Sequence, residues 1–291
     1  MPVAQAAAVQ PAVVQPTVVQ PDFLTLGDGR RFCLFRPAEG GEARAAVLYL
    51  HPFAEEMNKA RRMAALQSRA LAAAGCDVLQ IDLLGCGDSS GDFTDATWAA
   101  WREDALAGYR YLRERSTAPL TLWGLRAGCL LAAEAAAALP EAADFLFWQP
   151  VVSGKLHWQQ FMRLKMAGEL STDRASGQAK AIGEQLRASL AAGQSVEIAG
   201  YEVAPALAAG LEAAELSPPP GRQGRVVWLE TSLRDEAALT PVAVTCIERW
   251  QAAGFEVEAR IVRGPAFWQT TEIEKAPELL AATTAALAGR T

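Results

Sequence analysis

The feature that most constrains the fold is a regular alternation of two kinds of segment between residues 44 and 150. Short, continuous apolar runs such as AAVLYL, CDVLQI and ADFLFW are typical of strands buried on both faces of a sheet. Between them lie segments with helical periodicity, such as NKARRMAALQSRALAAAG and TWAAWREDALAGYRYLRER. Because strands that alternate with helices pair in parallel through right-handed crossovers, the pattern predicts a doubly wound, mostly parallel α/β sheet.

The alternation stops after residue 150 and resumes near residue 224, which predicts the domain organisation. Residues 23–150 are predicted to form the first part of the α/β core, beginning with a hairpin around a Gly-Asp-Gly turn. Helical segments dominate residues 151–223, with SVEIAGYEV as a short extended piece, and we expect an inserted helical lid there. Residues 224–291 are predicted to complete the core.

The first 22 residues have a different composition from the rest of the chain. A Val-Gln-Pro unit recurs so that Pro11, Pro16 and Pro21 are evenly spaced, and repeated prolines favour extended chain. The segment has neither a basic region nor an unbroken apolar run, so neither a signal peptide nor a membrane span is predicted. We therefore expect a disordered arm over residues 1–22.

Charge and cysteine usage exclude several classes of protein. The net charge is −6 and the basic residues are scattered, whereas a nucleic-acid-binding face needs them clustered. Five cysteines without CxxC spacing favour reduced thiols in the cytoplasm over a disulfide framework or a zinc site. We predict no metal and no cofactor. His51 and His157 are the two histidines, so any histidine-dependent mechanism must use one of them.

Several motifs resemble known proteins. LHPFAEE after the third strand, DLLGCGDSSG after the fourth and WGLRAG before an Ala-rich helix resemble the α/β-hydrolase fold over about residues 23–290. More narrowly, HPFAEEMNKARRM, GLRAG, PVVSGKLHWQQFMRLKMA and VEIAGYEVAPAL are similar to the exosortase A system-associated hydrolase 2 family. That family accompanies exopolysaccharide and protein-sorting genes in Gram-negative bacteria. The resemblance implies a hydrolase fold in such a pathway.

The catalytic pattern implied by the α/β-hydrolase resemblance is incomplete in this chain. That fold places a nucleophile at the centre of the strand-to-helix turn, an acid after a later strand and a histidine near the C-terminus. The turn carries Arg126, and the C-terminal loop RGPAFWQT has no histidine, with Ala266 or its neighbours in that place. Glu230 and Asp235 follow the acid strand, and Asp235 is either the acid or a solvated surface charge. The usual acyl-enzyme route is therefore not predicted.

The anion-binding part of such a site does not depend on the missing side chains. The resemblance implies an oxyanion hole made by the backbone N–H groups of Phe53 and Ala127. Arg126 adds a planar cation suited to carboxylate or phosphate at a helix N-terminus, so we predict an anion receptor. The alternative is that Arg126 pairs with a carboxylate of the chain itself. The candidate partners are Glu55, Glu56, Glu230 and Asp235.

Two further interpretations of single residues stay open. Cys86 and His51 could form a relocated nucleophile and base, or Cys86 could be inert packing and His51 a support of the oxyanion loop. Cys129 is predicted to pack in the core. His157 is predicted to be an ordinary residue of a lid helix, with contact to the cleft as the alternative. Apolar lid residues and one C-terminal tryptophan either line an acyl pocket or pack on the sheet: Trp158, Phe161, Met162, Met166 and Trp268.

Three functions are compatible with these observations. The first is a protein of the hydrolase fold that binds an acyl or other anionic small molecule and has lost its triad. It would act beside an acyl carrier or a companion hydrolase. The second is an active ester or thioester hydrolase, or an acyltransferase, that uses Cys86 and His51. The third is an interaction protein whose arm and lid recruit a partner.

Overall fold

The computed structural model describes residues 18–169 and 175–289, and the side chains of these residues except 166–180. One large sheet has eight strands: β1 (Gln20–Leu26), β2 (Gly29–Arg36), β3 (Ala45–Leu50), β4 (Cys76–Ile81), β5 (Leu120–Leu125), β6 (Asp144–Trp148), β9 (Arg225–Ser232) and β10 (Glu256–Arg263). A small second sheet has two strands: β7 (Val196–Ile198) and β8 (Tyr201–Val203). The helices are α1 (Glu55–Ala73), α2 (Trp98–Arg113), α3 (Ala127–Ala138), α4 (Gly154–Glu169), α5 (Ala175–Ala191), α6 (Pro205–Ala213), α7 (Pro241–Ala252) and α8 (Pro277–Ala288).

The strands of the large sheet run in the order β1-β2-β4-β3-β5-β6-β9-β10. Neighbours from β4 to β10 are parallel, and the hairpin β1–β2 attaches to β4 in antiparallel fashion. The predicted doubly wound, mostly parallel sheet is therefore confirmed. Because the carboxyl ends of parallel strands share one edge, the loops after β3, β5, β6, β9 and β10 meet there.

Side chains of the central strands alternate between two apolar clusters. On β3, Val47 and Tyr49 join the cluster covered by α1 and α8, whereas Leu48 and Leu50 join the cluster covered by α2, α3 and α7. Successive residues of a strand point to opposite faces. The continuous apolar runs in the sequence thus correspond to a sheet with helices on both sides.

The insertion between β6 and β9 holds α4, α5, the hairpin β7–β8 and α6. Helix α4 packs against α6, and α6 contacts α2 of the core. Trp158, Phe161 and Met162 of α4 are buried, and the rings of Trp158 and Phe161 contact Phe53. These lid side chains thus pack on the core, and Met166 lies outside the described side chains. The segment SVEIAGYEV forms two short antiparallel strands, more structure than the single extended piece expected.

The first strand begins within the predicted N-terminal arm. Residues 1–17 lie outside the described part of the chain, but Gln20, Pro21 and Asp22 already pair with β2. An edge strand accepts proline because one side of it makes no ladder hydrogen bonds. The Val-Gln-Pro periodicity therefore placed the end of the arm, at residue 22, too far along the chain.

Two further features of the described residues concern the helices and the cysteines. None of the helices in these ranges combines the length and the apolarity that a bilayer crossing requires. All five cysteines are buried free thiols.

Candidate functional site

A sharp turn joins β5 to α3 at the carboxyl edge of the sheet. Arg126 alone forms this turn, with φ 55° and ψ −119°, a backbone conformation that non-glycine residues rarely adopt. Its backbone N–H donates to the Trp148 carbonyl at 3.0 Å, and its own carbonyl accepts from Cys129 at 3.1 Å. These bonds hold the strained residue in place and set the start of α3.

The turn is close-packed because two glycines flank Arg126. A Cβ on Gly124 would lie 2.6 Å from the Cys129 backbone, and a Cβ on Gly128 would lie 2.2 Å from the Leu50 carbonyl oxygen. Both distances are far below van der Waals contact. Gly124 thus lets the first turn of α3 approach β5, and Gly128 lets it approach the end of β3.

The side chain of Arg126 forms a buried ion pair with Glu56 in the first turn of α1. Arg126 Nε donates to Glu56 Oε1 at 3.1 Å, and the two side chains are 12% and 5% exposed. Among the candidate partners, the structure thus pairs Arg126 with Glu56. Burial raises the pKa of Glu56 to about 7, although the charge of Arg126 opposes this shift.

An aromatic ring covers another side of the Arg126 guanidinium. Trp268, from the loop between β10 and α8, has its ring centroid 5.5 Å from Arg126 Cζ. A guanidinium near an aromatic face is attracted by the negative face of the ring. Glu56 and Trp268 together fix the position of Arg126.

His157 of the lid helix α4 lies against the same ion pair. Its Nε2 is 3.9 Å from Glu56 Oε2, which is too long for a hydrogen bond. Burial and the nearby charge of Arg126 lower the pKa of His157 to about 3, so the ring is neutral at pH 7. The sequence predicted an ordinary helix residue, and the structure corresponds to the alternative of contact with the cleft. The buried stripe of α4 was the available signal, because His157 lies one turn before Phe161 on that stripe.

Two pockets flank Arg126, and both are lined by Arg126, His157 and Gln160. The first has a volume of about 280 Å³ and the second about 270 Å³. The first is also lined by Glu55, Glu56, Lys59, Phe161, Leu164 and Gln269. The second is lined by groups that include Gln149, Val151, Ser153, Leu156, Glu230 and Thr240. Both volumes lie just below the range of about 300–1,000 Å³ that is typical of ligand pockets, so each suits only a small ligand.

Comparisons with known proteins identify the fold. Neither a protein-family model nor a curated protein sequence matches the chain. Among solved structures, Est1E from Butyrivibrio proteoclasticus with bound ferulic acid is 15% identical, covers 92% of this chain and 96% of its own, and gives a TM-score of 0.62. This chain has the α/β-hydrolase fold.

Two further structures agree. A putative hydrolase from Agrobacterium vitis S4 is 16% identical, with 94% of this chain and 100% of that one covered and a TM-score of 0.57. An α/β serine hydrolase without a lid from Xanthomonas campestris is 14% identical, with 94% of both chains covered and a TM-score of 0.53. Identities this low carry the fold alone.

The two acid candidates of the α/β-hydrolase fold have different surroundings. Glu230 lines the second pocket and accepts a hydrogen bond from Trp228 Nε1 at 2.8 Å, and burial raises its pKa. The side chain of Asp235 is 91% exposed and bonds Arg263 Nη1 at 2.9 Å. Asp235 therefore corresponds to the solvated surface charge, because water and Arg263 stabilise its carboxylate outside the cleft.

The loop between β10 and α8 brings Trp268 to Arg126. The sequence shows that this loop has no histidine, but it does not predict the contact of Trp268 with Arg126. Among the described residues, no three His, Cys, Asp or Glu side chains converge as metal ligands do.

The two predicted oxyanion donors lie on segments that the turn brings together. Gly128, next to Ala127, packs against the carbonyls of Leu50 and His51, which directly precede the loop of Phe53. Within the described residues, neither the Phe53 nor the Ala127 amide donates a hydrogen bond. Their role toward an anion stays a prediction.

The structure gives His51 and Cys86 surroundings that do not favour catalysis. His51 Nδ1 donates to the Pro52 carbonyl at 2.8 Å, and the Leu83 N–H donates to His51 Nε2 at 3.3 Å. Both ring nitrogens are thus occupied by backbone groups, and burial lowers the pKa of His51. Cys86 is buried, and burial raises the pKa of its thiol well above the usual range. A protonated thiol is a poor nucleophile.

This arrangement gives a simple expectation for thiol chemistry. Because all five cysteines are buried, the folded protein should react slowly with a thiol-specific chromogenic reagent at neutral pH. The unfolded protein should react rapidly and release five equivalents of the chromophore per chain. A Cys86→Ala variant should behave identically when folded. One rapidly reacting thiol that disappears in Cys86→Ala would instead restore Cys86 as a candidate nucleophile.

Proposed function

We propose that this protein binds an acyl or other anionic small molecule, with Arg126 as the receptor at the position of the nucleophile. One observation carries the proposal. Arg126 forms the strand-to-helix turn that is called the nucleophile elbow in this fold. Its side chain makes a single hydrogen bond to the described residues, from Nε to Glu56. The terminal nitrogens of its guanidinium therefore have donors to offer a ligand, and a pocket lies on each side.

Two features of the turn favour a bound anion, although Glu55, Glu56 and Glu230 also line the pockets. The first backbone N–H groups of α3 point toward the turn, and a helix N-terminus stabilises an anion. Arg126 offers a planar pair of donors that matches a carboxylate. Glu56 pairs with Arg126, and its raised pKa means that it gives up its charge readily.

The side chains present support binding over the usual catalysis of this fold. The acyl-enzyme route needs a nucleophile at the elbow and a histidine to move its proton. Arg126 supplies neither function, and Trp268 is the ring that approaches the elbow from the C-terminal loop. His51 and Cys86 remain the alternative pair, but the hydrogen bonds of His51 and the burial of Cys86 count against it.

The biological setting is proposed from sequence resemblance alone. The motifs similar to the exosortase A system-associated hydrolase 2 family suggest an exopolysaccharide-linked pathway. The protein would act in the cytoplasm beside a companion hydrolase or an acyl carrier.

Thermal shift with Arg126 variants tests the proposal. A carboxylate such as hexanoate at a hundred-fold excess over its Kd should raise the Tm by on the order of 5 °C. Arg126→Gln should abolish this shift, and Arg126→Lys should keep part of it because the charge remains but the planar donor pair is lost. Arg163→Gln, which removes an exposed arginine of α4, is the matched control and should change nothing.

Two results would contradict the proposal. One is an anion-induced shift of equal size in Arg126→Gln and in the unaltered protein. The other is the absence of a shift with every carboxylate, phosphate and acyl carrier tested, together with steady hydrolysis of simple esters or thioesters.

A further inference from the structure

We infer that the anion is a hydroxylated carboxylate, with one hydroxyl group held between Glu56 and His157 while Arg126 takes the acid group. This inference rests on the proposed function and names the class of ligand for the same site. It is carried by buried polar atoms beside Arg126 that have no partner.

The first observation is a set of unsatisfied polar atoms. His157 is 5% exposed, and neither of its ring nitrogens has a hydrogen-bond partner among the described residues. Glu56 is 4% exposed, and its Oε2 likewise has no hydrogen-bond partner among the described residues. Leaving a buried donor or acceptor unpaired costs about 1–3 kcal/mol, so most such groups in folded proteins have partners. Three such atoms at one site indicate that a ligand supplies the partners.

The second observation is the distance between these atoms. Glu56 Oε2 and His157 Nε2 are 3.9 Å apart, so one oxygen atom can lie about 2.8 Å from both. A hydroxyl group both donates and accepts. It fits an ionised Glu56 with a donating His157 nitrogen, and equally a protonated Glu56 with an accepting one. A methylene group of an acyl chain satisfies neither atom.

The third observation is the polarity of the first pocket. Besides Arg126, Glu56 and His157, its lining has more polar side chains than apolar ones: Glu55, Lys59, Gln160 and Gln269 against Phe161 and Leu164. Glu55 Oε2 is also buried without a partner, and Lys59 Nζ donates to the Gln269 carbonyl at 3.3 Å. An acyl chain would remove these groups from water without replacing its hydrogen bonds. A ligand with several hydroxyl groups would replace them.

Entry of the ligand requires a small movement of the lid. The unpaired atoms of Glu56 and His157 are shielded from solvent, and His157 of α4 lies 3.9 Å from Glu56 in the first turn of α1. A ligand that inserts a hydroxyl group must therefore move α4 slightly away from α1. In return its hydroxyl group pairs Glu56 Oε2 and His157 Nε2, which have no hydrogen-bond partner among the described residues.

Titration calorimetry with three ligands of equal carbon number tests this inference. Gluconate has an acid group and hydroxyl groups, hexanoate has only the acid group, and sorbitol has only hydroxyl groups. We expect gluconate to bind about ten-fold more tightly than hexanoate, since one hydrogen bond to a charged group is worth at least that factor. Sorbitol should not bind measurably.

A variant of the lid histidine separates the hydroxyl contact from the anion contact. His157→Phe keeps a buried ring and removes both unpaired nitrogens, so the variant should fold. It should lower the affinity for gluconate to that for hexanoate, so that the ratio of the two affinities falls from about ten to about one. Gln159→Leu, on the same helix but outside the lining of both pockets, is the control and should retain the preference for gluconate.

The outcomes distinguish this inference from the proposed function. If gluconate and hexanoate bind equally and both depend on Arg126, water satisfies the unpaired atoms, the inference is wrong and the proposed function stands. The same holds if His157→Phe leaves the preference intact. If neither anion binds, or if sorbitol binds as well as gluconate, the anion receptor itself is wrong.

Discussion

Replacing Gly128 by alanine should destabilise the protein severely. The added Cβ would lie 2.2 Å from the Leu50 carbonyl oxygen and 2.8 Å from that of His51. Both are backbone atoms at the end of β3, so no side-chain rotation relieves the overlap. Overpacking of this kind costs on the order of 3 kcal/mol, and here α3 must also move away from β3. That is a large fraction of the roughly 5–15 kcal/mol that stabilises a typical domain.

Urea unfolding of Gly128→Ala and of a control variant measures this effect. Gly289 at the end of α8 has φ −72°, and a Cβ there makes only an ordinary contact, 3.5 Å from the Ala285 carbonyl oxygen. Gly289→Ala should therefore unfold at nearly the same urea concentration as the unaltered protein. Movement of α3 should also separate the Ala127 amide from the loop of Phe53, so any residual folded Gly128→Ala should lose anion binding. A Gly128→Ala protein as stable as the control would show that α3 does not approach β3 this closely.

The sequence predicted the sheet and its helices well because their signals are local and repeated. Continuous apolar runs report burial on both faces, and each run corresponds to one strand of the parallel part. The turn at Arg126 was also predictable, because Gly124 and Gly128 are required by close approach whichever residue stands between them. The end of the arm was less predictable. Three residues of β1 are held by pairing with β2, which the composition of the arm does not reveal.

The candidate site was only partly predictable because its members come from separate elements. The arginine at the strand-to-helix turn and the absence of histidine from the C-terminal loop RGPAFWQT could be read from the sequence alone. The partner of Arg126 had several candidates of equal chemical merit, and only the packing of α1 against the turn selects Glu56. His157 and Trp268 reach Arg126 from the lid and from the C-terminal loop. Nothing in their local sequence reports those long-range contacts.

Replacing Glu56 by glutamine should stabilise the folded protein at alkaline pH. The pKa of Glu56 rises from 4.5 to about 7 on folding, chiefly because burial penalises the carboxylate. The folded state therefore binds the proton more tightly than the unfolded state. The free energy of unfolding consequently falls as pH rises from the pKa of the unfolded state to that of the folded state. Over that window the loss amounts to about 3 kcal/mol. Glutamine resembles the protonated acid and does not titrate, so the variant should escape this loss.

Unfolding by urea at about pH 5 and about pH 8 shows whether Glu56→Gln is more or less stable than the unaltered protein at each pH. The two proteins should be similar at the lower pH, and Glu56→Gln should be the more stable one at the higher pH. Glu103→Gln, which alters an exposed carboxylate, should follow the unaltered protein at both. At the higher pH Glu56→Gln should also bind anions more tightly, because Arg126 then lacks a competing carboxylate.

The opposite result would be equally informative about the buried pair. Removing one partner of a buried ion pair is often strongly destabilising, because it leaves the other charge uncompensated. If Glu56→Gln is less stable at the higher pH, the attraction of Arg126 exceeds the cost of burying the carboxylate, and Arg126 is held as a structural cation. If the variant is more stable, the ionised pair is maintained at a cost to the fold. Such a cost is expected where a protein keeps a charge ready for a ligand, as at many functional sites.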